Sequence, residues 1–169
     1  MTSATAPRQS SASSATPYVH QSSESELRWM GGVRSLFLAT GQSTGGAFAL
    51  VDERASKGDA VPLHRHAADM ESFYVVEGEV TLFIDAKPGV KVGPGAFAHL
   101  PAGTVHGFRV ESESARYLLL TTPHHGEFYR AITLASGPRR QRPEGKVTGA
   151  MIQEACRKYG IEFVGALPE

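Results

Sequence analysis

Apolar residues in this chain come in short bursts, with a strand rhythm through the middle and a helical one towards the end. Residues 33–40, 46–51, 61–66, 72–76, 79–85, 96–100, 105–110 and 117–121 are each rich in β-branched, aromatic and aliphatic side chains, a composition suited to a pleated, half-buried surface. Val80, Leu82 and Ile84 fall on one face, the period of two shown by a strand with one buried side. Turn chemistry separates the runs: Gly41, Gly45-Gly46, Lys57-Gly58-Asp59, Glu77-Gly78, Lys87-Pro88-Gly89, Gly93-Pro94-Gly95 and Pro101-Ala102-Gly103. This spacing predicts an all-β sandwich or barrel. After Pro123 the period lengthens. Phe128, Ile132 and Ala135 repeat at helical spacing until Gly137-Pro138, and Val147, Met151, Ile152, Ala155 and Tyr159 form a second stripe ending at Gly160. The prolines and charges of residues 139–146 read as a linker. Residues 1–25 are mostly Ser, Ala and Thr with no apolar period, too little burial to offset the cost of ordering. The expected division is a disordered tail at 1–25, a β domain at 26–123, and a helical extension at 124–169 that packs on the β domain or on a neighbouring subunit.

Composition narrows the function classes. The 169 residues amount to about one domain, and 41% hydrophobic residues suffice for one core. Lys+Arg and Asp+Glu balance at 17 each, leaving no electrostatic footprint for nucleic acid or an anionic membrane. The expected partner is a small neutral or aromatic molecule. There is no apolar signal region and no apolar run of about 18 residues, so neither secretion nor membrane spanning is supported and the cytoplasm is the expected compartment. Cys156 is the only cysteine, which excludes an intramolecular disulfide and a cysteine metal cluster; it reads as a small buried hydrophobe on a helix.

Four polar residues carry the candidate chemistry. His64 and His66 are one residue apart on a strand, so both imidazoles project from the same face. Glu71 opens the next strand after a short turn, with Phe73 and Val75 alternating onto its face. His106 follows Pro101-Ala102-Gly103-Thr104, with Phe108 and Val110 inward beside it. Brought together, these strands offer three nitrogens and one oxygen to one divalent transition metal with open positions, inside an apolar cage. Taken singly, each residue has a plainer reading as surface or loop; the joint spacing favours a site. His99 fits no ligand position and is expected in the pocket or at the surface, while His20 belongs to the tail. Glu127, Tyr129 and Arg130 are expected at the surface or an interface. His124 and His125 point apart as neighbours, which argues against a second metal site.

These positions resemble the two motifs of the cupin superfamily. The first, G-x5-H-x-H-x4-E-x6-G, is matched from Gly58 to Gly78; the second, G-x5-P-x-G-x2-H-x3-N, is matched from Gly95 to His106, with Val110 where Asn is usual. The resemblance implies a double-stranded β-helix, or jelly-roll, of two antiparallel sheets with a metal inside its mouth. Residues 37–46, 71–79, 101–108 and 117–123 further resemble single-domain bacterial cupins of the quercetin 2,3-dioxygenase type, enzymes that open a flavonol ring with O2 and release carbon monoxide. That resemblance implies one metal, nickel, iron, manganese, cobalt or copper with zinc possible, and a homodimer. It gives Glu71 two duties, ligand and base for the substrate hydroxyl, with an apolar surround raising its pKa. Phe73, Phe108, Val110 and Met70 would wall a small aromatic substrate. A metal-dependent cupin isomerase, decarboxylase or cyclase, or a non-catalytic ligand-binding cupin, would use the same ligands.

Overall fold

The computed structural model describes residues 15–85 and 87–169, so residues 1–14 of the expected tail lie outside the described part. The strands are β1 (Glu26–Met30), β2 (Val33–Ala39), β3 (Ala49–Ser56), β4 (Ala60–His66), β5 (Glu71–Glu77), β6 (Val80–Ile84), β7 (Val90–Val92), β8 (Phe97–Leu100), β9 (His106–Val110), β10 (Ser114–Thr121), β11 (Leu134–Ala135) and β12 (Ile161–Gly165). Two helices interrupt the series late, α1 (Pro123–Ala131) and α2 (Gly149–Tyr159). The strands form two antiparallel sheets, one of seven in the order β11-β1-β2-β3-β10-β5-β8 and one of five in the order β12-β4-β9-β6-β7. This is the expected jelly-roll.

Alternation along the strands builds the core between the sheets. In β10 Ala115, Tyr117, Leu119 and Thr121 point inward and are buried, while the residues between them are not. Phe73 and Val75 of β5, Val80 and Leu82 of β6, and Phe108 and Val110 of β9 meet them in one cluster with Phe37, Val51 and Leu100. The period of two thus translates directly into a buried face on each sheet. Gly78 closes the β5–β6 turn at φ +79, and a Cβ there would lie 2.2 Å from the Ser114 carbonyl oxygen. Only glycine fits both constraints.

The eight expected strands are all present, with ends shifted by a few residues, and four more were missed: β1, β7, β11 and β12. The C-terminal extension differs most from expectation. Ala135 belongs to no helix: α1 stops at Ala131, and Leu134 and Ala135 pair with Trp29 and Arg28 as an edge of the larger sheet. Arg28 enforces the stop, since its guanidinium donates to the Arg130 carbonyl at 2.9 Å and to the Thr133 carbonyl at 2.7 Å. These are carbonyls that a continuing helix would have used itself. Val147 likewise precedes α2, whose first turn is capped by the Thr148 hydroxyl accepting from the Met151 N–H, and whose end is Gly160 at φ +68. Cys156 is buried beside Phe128, Ile132 and Ile161, as a small hydrophobe. Past Gly160 the chain returns as β12 and covers the free edge of β4, pairing Ile161 with His66 and Phe163 with His64.

Some of the expected tail is also held. Tyr18 donates its hydroxyl to the Leu38 carbonyl at 3.3 Å, and Arg140 donates to the carbonyls of Ser22, Ser23 and Ser25. No helix among the described residues is long and apolar enough to cross a membrane.

Ending the chain after Gly160 removes β12 and leaves the β4 edge unpaired, an invitation to intermolecular strand pairing. The expected result is a lower melting temperature and concentration-dependent aggregation by light scattering. A monodisperse truncated protein with unchanged melting temperature would show that β12 is dispensable.

Candidate metal centre

His64, His66, Glu71 and His106 converge. Each offers one ligand atom, and these atoms all lie within 4.8 Å of one another. All four residues are buried, at 7%, 2%, 1% and 3% exposure. They come from three strands of both sheets: His64 and His66 from β4, His106 from β9 directly opposite His64, and Glu71 from the first position of β5. The site spans the mouth between the sheets, where one sheet alone would have supplied only part of it.

The local chain sets the imidazole orientations. The Nδ1 of His64 lies 2.9 Å from the Pro62 carbonyl and that of His106 2.9 Å from the Thr104 carbonyl. With Nδ1–H donating to those oxygens, Nε2 of each ring is left for the site interior, as metal-binding histidines are commonly held. The Gly103 N–H donates to the His66 carbonyl at 2.8 Å, which ties the turn of the second motif to the end of the strand of the first. His66 Nε2 is buried and has no partner. In the tautomer with the proton on Nδ1 this nitrogen presents a lone pair to the site, as a metal ligand would. Ligand atoms around a transition ion stand at roughly 2.0–2.2 Å from it. Four atoms already within 4.8 Å need only a small contraction to meet that, so the residues fit a metal.

Glu71 reverses the expected pKa. Burial pushes its carboxyl up, but His106 and His125 outweigh burial and hold it well below the usual carboxylate range. Its Oε2 lies 3.0 Å from His106 Nε2, a contact made by the protonated ring that a metal would replace, and its Oε1 accepts from the Tyr129 hydroxyl at 3.0 Å, with His125 Nε2 at 3.7 Å. Burial lowers the His106 pKa, and the Glu71 hydrogen bond more than offsets it, so that it stands raised. His64 and His66 have no such partner. Burial and neighbouring imidazoles lower them to about 4 and about 3.

Tyr129 and His125 therefore belong to the site, where the sequence placed them at a surface or interface or in no site at all. They are four residues apart on α1, with Phe128 beside them, so one helical face carries all three toward the barrel mouth. That shared face was the available signal. His124 points away, as expected of its neighbour, and its Nδ1 lies 2.9 Å from Asp69 Oδ2. Asp69 is buried and also accepts from the Thr122 hydroxyl, the residue that caps α1. The β4–β5 loop is thereby fastened to the helix that brings in His125 and Tyr129. His99 is exposed on the outer face, next to the Ser72 hydroxyl.

Beside the four residues lies a cavity of about 650 Å³. Phe73 and Phe108 line it with Tyr117, Phe128 and Ile132, and its polar residues include His64, Glu71, His125, Tyr129, Asp59, Thr133 and Gln153. Met70 and Val110 do not line it. The Met70 carbonyl accepts from Thr121 on the β5 side of the loop, and Val110 is packed in the core at 1% exposure. Alternation alone could not separate inward and lining from inward and packed. Glu53 also reaches the cavity, a second buried carboxylate that strand periodicity left unmarked.

Comparison with known proteins agrees with this geometry. Residues 52–121 match the family model described as Cupin domain. The chain is 33% identical over 119 residues to quercetin 2,3-dioxygenase from Bacillus subtilis (strain 168), a match over 70% of this chain and 35% of that protein. It thus spans about a third of the length of that relative. Among solved structures it resembles the polyketide cyclase RemF from Streptomyces resistomycificus (TM-score 0.57, 21% identity, 64% of this chain and 80% of that one). KdgF from a Halomonas species gives a TM-score of 0.57 at 18% identity over 64% of this chain and 94% of that one. A predicted oxalate decarboxylase from Thermotoga maritima gives 0.56 at 19% identity over 62% of this chain and 98% of that one. At such identities the structural likeness speaks for the fold.

Two outcomes test the centre. Purified protein reconstituted with a divalent metal should hold close to one ion per chain by elemental analysis, and His66→Ala or His106→Ala should remove most of it; full retention in both would refute the assignment. The lowered imidazoles set a pH dependence in the metal-free protein. Between their ordinary value of 6.5 and the folded values of about 4 and about 3, the unfolded chain binds protons that folded His64 and His66 refuse, so stability is lost as pH falls through that window. The melting temperature should fall from pH 7 to pH 4, and less steeply in His66→Gln; parallel profiles would show that His66 does not contribute.

Proposed function

This chain carries a cupin domain, and from that premise we propose a metal-dependent dioxygenase of the quercetin 2,3-dioxygenase type, cleaving a flavonol or similar enolic aromatic substrate with O2. One observation carries the reading: the four-residue cluster meets, through His64 and Glu71, a largely apolar cavity of about 650 Å³, within the usual range for a small-molecule site. The similarity to a protein named for that reaction supports it.

The chain's own residues divide the work. Phe73, Phe108 and Tyr117 form an aromatic wall, with ring centroids 5.4–5.9 Å apart. A flat ring system packs there and displaces water. His64, His66, Glu71 and His106 would hold the metal, which when bound supplies Lewis acidity that favours an enolate over an enol. Glu71 is ionised, the form a base requires, but its lowered pKa makes it a weak one, so it takes the proton of a substrate hydroxyl only where the bound metal would acidify that hydroxyl. The Tyr129 hydroxyl donates to Oε1 and fixes the direction of the carboxylate. His125, stacked on His66 with ring centroids 4.0 Å apart, braces the same corner.

Oxygen-electrode assays of protein reconstituted separately with nickel, cobalt, manganese, iron, copper and zinc, across a panel of flavonols and catechols, test the proposal. O2 consumption with an enolic substrate is the expected result. Turnover in the absence of O2 would replace the reading with an isomerase, decarboxylase or cyclase, and affinity with no product would make the protein a binding module. Glu71→Gln keeps the shape and a carbonyl oxygen but accepts no proton, and should lower O2 uptake by about 10²–10⁴-fold while metal remains. A Gln variant that retains metal and the full rate would take Glu71 out of the proton transfer.

A further inference from the structure

Across the floor of the cavity runs a polar row that the metal centre does not use. Ser35 of β2, Glu53 of β3 and Tyr117 of β10 occupy directly paired positions on three neighbouring strands. All three are buried, at 0%, 5% and 1% exposure, and Glu53 and Tyr117 line the cavity. The Ser35 hydroxyl donates to Glu53 Oε1 at 2.5 Å, and the Tyr117 hydroxyl sits against the same carboxyl. The side chains acting on Glu53 are hydroxyls and carboxylates, Ser35, Tyr117, Glu71 and Asp52, with no cation among the described residues. A carboxyl buried without a cation is costly when ionised. Burial accordingly pushes Glu53 up to about 7, so at neutral pH it is available as a hydrogen-bond donor as well as an acceptor.

Its placement relative to Glu71 matters. Glu53 pairs with Tyr117 and Glu71 pairs with Thr121 on the same central strand, so the two are four residues apart along β10 and two strand spacings apart across it. On a flat sheet that offset would place their Cα atoms on the order of 16 Å apart; both side chains face one cavity, and their carboxyls come near enough for the charge of Glu71 to raise Glu53. A molecule of two or three fused or linked rings with one end at Glu71 extends toward the carboxyl of Glu53. Asp59, Thr133 and Gln153 also line the cavity, and of the polar groups around it Glu53 is the one held by Ser35 and Tyr117 on paired strands.

We propose that Glu53, positioned by Ser35 and Tyr117, is a specificity-determining residue that hydrogen bonds a ring hydroxyl of the substrate remote from the metal centre. The inference rests on the cavity taking a planar aromatic ligand, as in the proposed function, but not on the reaction with O2. It gives the cavity two polar ends and an apolar middle, so that a ligand is selected by where its hydroxyls fall.

Anaerobic absorbance titration of nickel-loaded protein with quercetin and with 3-hydroxyflavone, which keeps the hydroxyl-carbonyl pair but lacks the remote hydroxyls, tests this. Wild type should bind quercetin more tightly. Glu53→Leu should weaken quercetin by roughly tenfold, the size of a buried hydrogen bond, and leave 3-hydroxyflavone nearly unchanged. Glu53→Gln, which still donates and accepts, should restore most of the preference, and metal content and melting temperature of both variants confirm an intact fold. An equal loss for both flavonols, no loss for either, or no binding of either to wild type overturns the proposal. Quercetin binding without O2 uptake would defeat the dioxygenase reading and leave Glu53 in place. O2 uptake with an unshifted Leu variant would do the reverse.

Discussion

A carboxylate with 1% exposure sits at the centre of this protein, and much of the surrounding structure answers to it. Ionised and alone, Glu71 would be strongly disfavoured in such a place; removing one partner from a buried pair of this kind costs on the order of 3–5 kcal/mol. Each oxygen is satisfied from a different direction, Oε2 by His106 of the smaller sheet and Oε1 by Tyr129 of α1. The group thus joins two sheets and a helix that have no sequence proximity. His106 is 35 residues from Glu71 and Tyr129 is 58.

That requirement explains why the C-terminal segment is woven into the β domain. α1 presents Tyr129 and His125 to the site only if its start is fixed, and Thr122 and Asp69 fix it. Arg28 then ends the helix by taking its last carbonyls. The chain departs as β11 on one sheet, crosses through α2, and returns as β12 on the other, against the strand that carries His64 and His66. Covering that edge both removes an aggregation hazard and holds the two histidines in register.

The cavity shows a different balance. Its apolar wall is a continuation of the core, in which Phe108 packs edge-on against both Phe73 and Tyr117. Two of the polar groups that line the cavity are buried carboxyls satisfied by neighbouring hydroxyls, Glu71 by Tyr129 and Glu53 by Ser35.

Much of this was legible in the residues. The period of two marked eight of the strands, and glycines such as Gly78, with its positive φ and no room for a Cβ, marked the turns between them. Side chains two apart on a strand share a face whatever the partner strands are, which paired His64 with His66, while Glu71 and His106 were named by the joint spacing of the two motifs. Local geometry is enough for the first pair only. It could not place Tyr129, His125 or Glu53, which reach the site through pairings between distant segments. Nor could it separate Val110, packed in the core, from Phe108, which lines the cavity two residues earlier on the same face. The Glu71 pKa was lost for the same reason: an apolar neighbourhood raises a carboxylate, but the donors that lower it arrive only with the tertiary fold. Periodicity therefore determined the strands and the identity of the candidate ligands, whereas burial, hydrogen-bond partners and the shape of the cavity were decided by how the two sheets and α1 close around one carboxylate.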